Sequence, residues 1–129
     1  MTSVTPILTG VADHIGHYAD SVTVSGGGTQ VFVSGTPGVR DDGTVPEDFV
    51  DEARQCWANV EKSLEAAGAK LTDIVYMRQW VTSREYASAY LEVSKEVIRH
   101  RPAAMFSIID GLVWPNIRVE VEAIAVVPT

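Results

Sequence analysis

A chain of 129 residues is expected to form one domain, residues 1–129, and its 46% apolar content excludes a disordered chain. A formal net charge of -7 opposes nucleic-acid phosphates, and no apolar run approaches the roughly 18–20 residues of a membrane span. Met1 to Gly16 lacks a basic segment followed by an apolar one, and the single Cys56 excludes an intramolecular disulfide, so a cytoplasmic setting is expected.

The first twenty residues are mixed, with Pro6 and Gly10, and read as a short strand or irregular arm. Val22 and Val24 alternate with Thr23, and Gln30 to Ser34 carries Val31, Phe32 and Val33. "GGGT" between these runs predicts a β-hairpin. Gly35 to Glu47 is rich in Gly, Pro and Asp and reads as a loop. From Glu47 the period changes. Phe49, Ala53, Cys56, Trp57, Val60, Leu64 and Ala67 recur at helical steps, with acidic residues at the start and Gly68 as the stop.

Asp73 to Thr82 is rich in β-branched and aromatic residues and reads as a strand. Ser83 is a candidate N-cap for a second helix, with Tyr86, Ala89, Tyr90, Val93 and Val97 inward and Pro102 beyond its end. Ala103 to Ile109 and Ile117 to Val127 are the last strands. Two amphipathic helices can cover one face of a five- or six-stranded sheet. On the other face, Arg118, Glu120, Glu122, Ile124 and Val126 mix charge with apolar groups, as do Tyr76, Arg78 and Trp80. That mixture suits a face buried against other copies of the chain, with a polar pocket at one end.

Glu120 is open to two readings, a catalytic carboxylate or part of a charge network with Arg118 and Glu122. Tyr18 is a pocket wall or a packed residue of the arm. His14 and His17 lack a third ligand nearby and read as ordinary histidines, and Cys56 as core. Ser34 has no visible Ser-His-Asp partners, so its backbone rather than its hydroxyl is the expected contribution. Trp114, in the loop before the last strand, can line a cleft.

"VFVSGTPG", "EARQCWANVEKSLEAAGAKLTDIVYMRQWV", "RPAAMF" and "RVEVEAIAVV" resemble the Rid family, long called endoribonuclease L-PSP, over about His14 to Val127. The resemblance implies an α+β, chorismate-mutase-like fold: a mixed sheet with two helices on one face. It also implies a homotrimer packed sheet to sheet, with small-molecule sites in three clefts. The activity implied is hydrolysis of enamines and imines to ketoacids and ammonia, with no cofactor and no metal. The old family name suggests a nuclease, which the acidity of the chain opposes.

Residue by residue, the implied catalytic groups are Glu120 and Tyr18. Ser34 and Gly35 stand at a Ser-Gly turn, and Tyr90 stands where an asparagine is common. The arginine that clamps the substrate carboxylate is replaced by Ala104, and the small residue two further on by Phe106. Arg78 is the first candidate to supply the missing cation and Arg40 the second. Arg101, before Pro102, is expected to point away. The reaction expected is hydrolysis or tautomerisation of an enamine, imine or enol species that depends less on an α-carboxylate than 2-iminopropanoate does. The alternative is a non-catalytic, ligand-binding or regulatory trimer.

Overall fold

The structure is a computed structural model describing residues 1–129. β1 (Ser3–Ile7) and β2 (Ser21–Ser25) pair antiparallel in a small sheet of their own. β3 (Thr29–Pro37), β4 (Ile74–Val81), β5 (Ala103–Ile108) and β6 (Val119–Val127) form a four-stranded sheet in the order β3-β6-β4-β5. The β4–β5 pair is parallel and the others antiparallel, so the sheet is mixed. α1 (Phe49–Ala66) and α2 (Ala87–Val97) pack on one face of it, and the fold is α+β as expected.

The expected β2–β3 hairpin is not formed, and the main sheet has four strands rather than five or six. Gly26, Gly27 and Gly28 all have positive φ and carry the chain from the small sheet to the large one. At Gly26 φ is 86°, and a Cβ would come within 1.7 Å of the Met1 carbonyl oxygen. The triplet therefore serves a close passage of two chain segments rather than a tight hairpin. β3 also runs on to Pro37, into the stretch read as loop.

α1 starts where the acidic cluster predicts. The Asp48 side chain caps it by accepting a hydrogen bond from the Asp51 N–H at 3.1 Å. Its apolar stripe, including Ala53, Cys56, Trp57, Val60 and Leu64, lies within the core. Gly68, just past its end, has φ 81°. Before α2, Ser83 accepts from the Glu85 N–H at 3.4 Å and opens a 3-10 turn, Arg84–Tyr86. α2 carries Tyr90 and Val93 into the same core, beside Met77 and Val81 of β4. From β6, Val119, Val121, Ala123 and Ala125 face the helices and are buried.

Arg118 departs from the alternation. It lies just before β6, and instead of joining Glu120 on the other face it binds Glu52 of α1. Its backbone N–H donates to Glu52 Oε2 at 2.8 Å and its Nε to Oε1 at 2.6 Å. Its Nη2 donates to the carbonyls of Pro46 and Glu47, both at 2.9 Å. Glu52, placed by the sequence only in the acidic first turns, has no exposed side-chain surface.

The N-terminal arm is held by Asp20, which accepts from the backbone N–H of Thr9 at 2.7 Å, Gly10 at 3.3 Å and Ala12 at 2.9 Å. A parallel bridge from Ala19 to Ala103 and an Ala19 N–H bond to the Pro102 carbonyl at 2.9 Å then tie the arm to β5.

Arg118→Ala leaves the Glu52 carboxylate buried without its main partner. We expect a loss of about 3–5 kcal/mol, read from urea midpoints at fixed protein concentration. Glu52→Gln, which keeps an acceptor for the Arg118 N–H, should cost less than Glu52→Ala. The three backbone donors hold the Asp20 carboxyl below its ordinary value of 3.8, the Thr9 N–H contributing most. A lowered folded-state value means that this tie is complete above 3.8 and is lost as pH falls through the lower, folded value. Amide exchange at Thr9, Gly10 and Ala12 should accelerate in that acid window, and at neutral pH in Asp20→Ala.

Candidate functional site

Ser34 and Gly35 do not form a turn. They form a β-bulge inside β3: Val33 pairs with Ala123 and Thr36 with Val121, so two residues oppose Glu122 alone. The bulge brings the β3 backbone against the carboxylate of Glu120. A Cβ on Gly35 would lie 3.2–3.3 Å from Glu120 Cδ and both carboxylate oxygens, so a side chain there would crowd the group. Across the sheet, Glu120 pairs with Trp80 of β4. Burial and the neighbouring Glu122 charge, in that order, raise the Glu120 carboxyl above its ordinary value of 4.5.

Arg78 is engaged. It pairs with Glu122 across β4 and β6, through both Nε and Nη2, and its guanidinium stands 5.9 Å from the Trp80 ring. Arg40 donates to Thr44 Oγ1 at 3.0 Å within its own loop. Neither lines a cavity with Tyr18.

Tyr18 stands elsewhere on the chain. It walls a cavity of about 450 Å³ between the arm, α2 and the helix-facing side of β4. His17, Lys95 and Arg101 share the wall, with Met77 and Gln79 at the floor. Glu120 is not part of this cavity, so one chain does not bring the two expected catalytic residues together. Arg101 does not point away as expected. The Ala19–Ala103 bridge sets it beside the arm, where its Nη1 meets Asp13 Oδ1 at 2.6 Å.

Ala104 and Phe106 pair with Met77 and Gln79 of β4, on the side that carries the helices. Phe106 stacks on Tyr90, with ring centroids 5.1 Å apart. Tyr90 is fully buried, and its hydroxyl donates to Gln79 Oε1, while Gln79 Nε2 donates to the Met105 carbonyl at 3.2 Å. Tyr90 therefore supports the cavity floor from behind, a correction to its reading as a substrate contact. Burial also pushes its hydroxyl, and the Cys56 thiol, well above their ordinary pKa values, so neither supplies an anion. Trp114, with Val113, protrudes from the β5–β6 loop apart from that cavity.

Gln79 and Lys95, which share the Tyr18 cavity, were not singled out from the sequence, and Arg101 was turned away from it. Arg101 adjoins "PAAMF", the one available signal, but its direction depends on a bridge to a residue 84 positions away in the chain, from Ala103 back to Ala19.

The family model described as endoribonuclease L-PSP matches residues 10–127. The 2-iminobutanoate/2-iminopropanoate deaminase of Dermatophagoides farinae is 32% identical over 115 residues, covering 88% of each chain. The chain belongs to the Rid family. Among solved structures of this Rid chain's relatives, Escherichia coli TdcF with bound serine is 29% identical with a TM-score of 0.73, covering 88% of this chain and 91% of the other. YyfB of Yersinia pestis, a Rid-family protein of unknown function, has a TM-score of 0.82 at 23% identity and covers 98% of each chain, a likeness of fold.

Because Glu122 repels a charge on Glu120, Glu122→Gln should lower the Glu120 pKa towards 4.5. A carboxyl-carbon NMR titration checks this. An unmoved Glu120 would mean that burial alone raises it.

Proposed function

We propose that this Rid protein is a cytoplasmic homotrimer whose single unit, residues 1–129, hydrolyses a small reactive enamine or imine at clefts between subunits. The placement of Glu120 carries the reading: a half-buried carboxylate of raised pKa, fitted against Gly35 on the sheet face that lacks helices. That face also presents Phe32, Tyr76, Trp80 and Ile124 around the Arg78–Glu122 pair, and Phe32 is 68% exposed. An apolar face with an ion pair inside it suits the same face of other copies. Tyr18 and Glu120 lie on separate surfaces of one chain, so a site using both needs two subunits. Ser34, Gly35 and Trp114 would then line Glu120's side of the cleft. Ala104 and Phe106 would back the other side.

The chemistry asks little of the protein beyond a base and a dry pocket. An enamine first takes a proton at its β-carbon and gives one up from its nitrogen, becoming an imine. The Glu120 carboxylate accepts a proton from water as the oxygen bonds to the C=N carbon, and the nitrogen gains a proton, giving a carbinolamine. The C–N bond then breaks as Glu120 returns its proton to the departing nitrogen and the carbinolamine hydroxyl gives up a proton to solvent, replacing the one the nitrogen gained. The balance is one imine and one water to one carbonyl compound and one ammonia. No helix is long and apolar enough to cross a membrane, in keeping with the compartment proposed.

The test is imine decay, with imines made from alanine and leucine by an amino-acid oxidase. The wild-type protein should accelerate the decay of at least one imine. Glu120→Gln should lower kcat by about 10²–10⁴-fold with the sedimentation mass of a trimer kept. No acceleration across the panel would sink the proposal. Ala104 and the Tyr90–Phe106 stack favour a second reading, a regulatory trimer that binds a small ligand without turnover. Thermal stabilisation by a ligand that is not consumed would mark that case.

A further inference from the structure

We propose that His17 is a second catalytic residue of the cleft, the acid that protonates the substrate nitrogen while Glu120 of another copy deprotonates the attacking water. This rests on the proposed hydrolysis between subunits, whose Tyr18 wall His17 shares, and it supplies the proton donor that the reaction needs. Position, availability and chemistry converge on it.

His17 stands next to Tyr18 in the wall of the cavity of about 450 Å³. The arm is pinned on both sides of it. Before it, Asp13 meets Arg101 at 2.6 Å, and the Gly16 N–H donates to the Ala12 carbonyl at 3.0 Å. After it, the Ala19 N–H donates to the Pro102 carbonyl at 2.9 Å. A Cβ on Gly16 would lie 3.1 Å from the Tyr18 ring, so a side chain there would crowd the ring where it folds back onto the arm. His17 and Tyr18 are thus carried side by side on a short, tethered segment.

Of the titratable groups that face this cavity, His17 is the one free to move a proton. The arm contributes Asp13, His17 and Tyr18, α2 contributes Lys95, and the approach to β5 contributes Arg101. From β4 come Met77 and Gln79, which do not titrate. Asp13 and Arg101 are bonded to one another. A guanidinium keeps its proton, and an ammonium has donors but no acceptor. Burial, then the Asp20 charge, raises the Tyr18 hydroxyl above its ordinary value of 10.0, so it stays neutral. His17 is half-buried and its ring makes no hydrogen bond to the chain, unlike His100, whose Nε2 meets the Ile74 carbonyl at 2.8 Å. Imidazole both gives and takes a proton near neutral pH.

The reaction has work for two such groups. Glu120 takes a proton from water, and the nitrogen needs one as the π pair of the C=N bond moves onto it. With Glu120 on one subunit and His17 on the other, the two groups flank that bond. The imidazolium gives its proton to the nitrogen as the water oxygen bonds to carbon, leaving a carbinolamine, a neutral imidazole and a protonated Glu120. Glu120 then protonates the departing nitrogen, which leaves with the C–N pair. The carbinolamine hydroxyl releases its proton to solvent, and solvent returns one to His17. One imine and one water give one carbonyl compound and one ammonia, and both residues end as they began.

The test is imine decay as a function of pH, with the generating oxidase in excess and the uncatalysed decay subtracted. Wild-type kcat should trace a bell, rising as Glu120 loses its proton and falling as His17 loses its own. His17→Gln should lower kcat about 10²-fold near pH 7 with KM nearly unchanged, and should remove the alkaline limb while the acid limb stays. Imidazole added to His17→Ala should restore part of the lost rate, which a merely structural role would not allow. His14→Gln, at an exposed position off the cavity wall, should behave as wild type. Imine turnover whose alkaline limb is unmoved in His17→Gln, with no rescue of His17→Ala by imidazole, would overturn the role of His17 and leave the hydrolysis standing. A wild-type protein that turns over no imine would overturn the hydrolysis and the role of His17 with it.

Discussion

A buried carboxylate decides where the last strand begins. Glu52 sits on α1 with no exposed side-chain surface and is met by the backbone N–H and the Nε of Arg118. Burying such a charge is costly, and it is tolerated because nearly every polar atom of the pair is used. The guanidinium is also capped by two aromatic rings, Phe49 at 5.7 Å and Tyr86 at 5.6 Å, which stack on one another. The bond reaches the backbone of Arg118, so it positions the chain and not only a side chain. Val119 then starts β6, and Glu120 arrives opposite Pro37, beside the Ser34–Gly35 bulge. The placement of the candidate base thus depends on a contact made on the far side of the sheet.

The two sides of that sheet have different needs. On the helix side, Val119, Val121 and Ala123 are already covered by the core, and a small polar chain, Tyr90 to Gln79 to Met105, is closed on itself. On the other side, Trp80, Tyr76 and Ile124 surround one ion pair, are only half-buried, and have no helix over them. The carboxylate lies on the uncovered side, while Tyr18 and the cations lie on the helix side, around the β5 edge. Under the proposed function these are two half-sites, one on each side of the sheet. In the trimer proposed above, covering the open face would also set one copy's Glu120 near another copy's cavity.

How much of this was legible depended on the range of the interaction involved. The helices were legible because three- and four-residue spacing is a local property, and Asp48 and Gly68 mark the ends of α1 by local chemistry. Alternation along β6 separated Val121 from Glu120 correctly for the same reason. The hairpin reading failed because a glycine turn reports only that the chain changes direction. Which strand β2 then joins is set by β1 and by the passage of Met1 over Gly26. Arg118 broke alternation because an ion pair with α1 outweighs strand period one residue outside the strand. Arg101 was misjudged because the proline beside it constrains backbone and says nothing about a side chain turned towards the arm.

Ala104 can now be understood through its neighbours. It pairs with Met77 on the helix side of β5, one step from Phe106 and the Tyr90–Gln79 bond. A guanidinium projecting from that position would find no carboxylate free to pair with it, since the fully buried one, Glu52, belongs to Arg118. Here the floor is instead made of aromatic stacking and a saturated amide, which would give a buried cation little in return for its lost hydration. Arg101, three residues earlier, stands at the rim, where Asp13 and solvent share the cost of its charge. Moving the cation from floor to rim lets the floor pack as core and leaves an apolar recess below the charge.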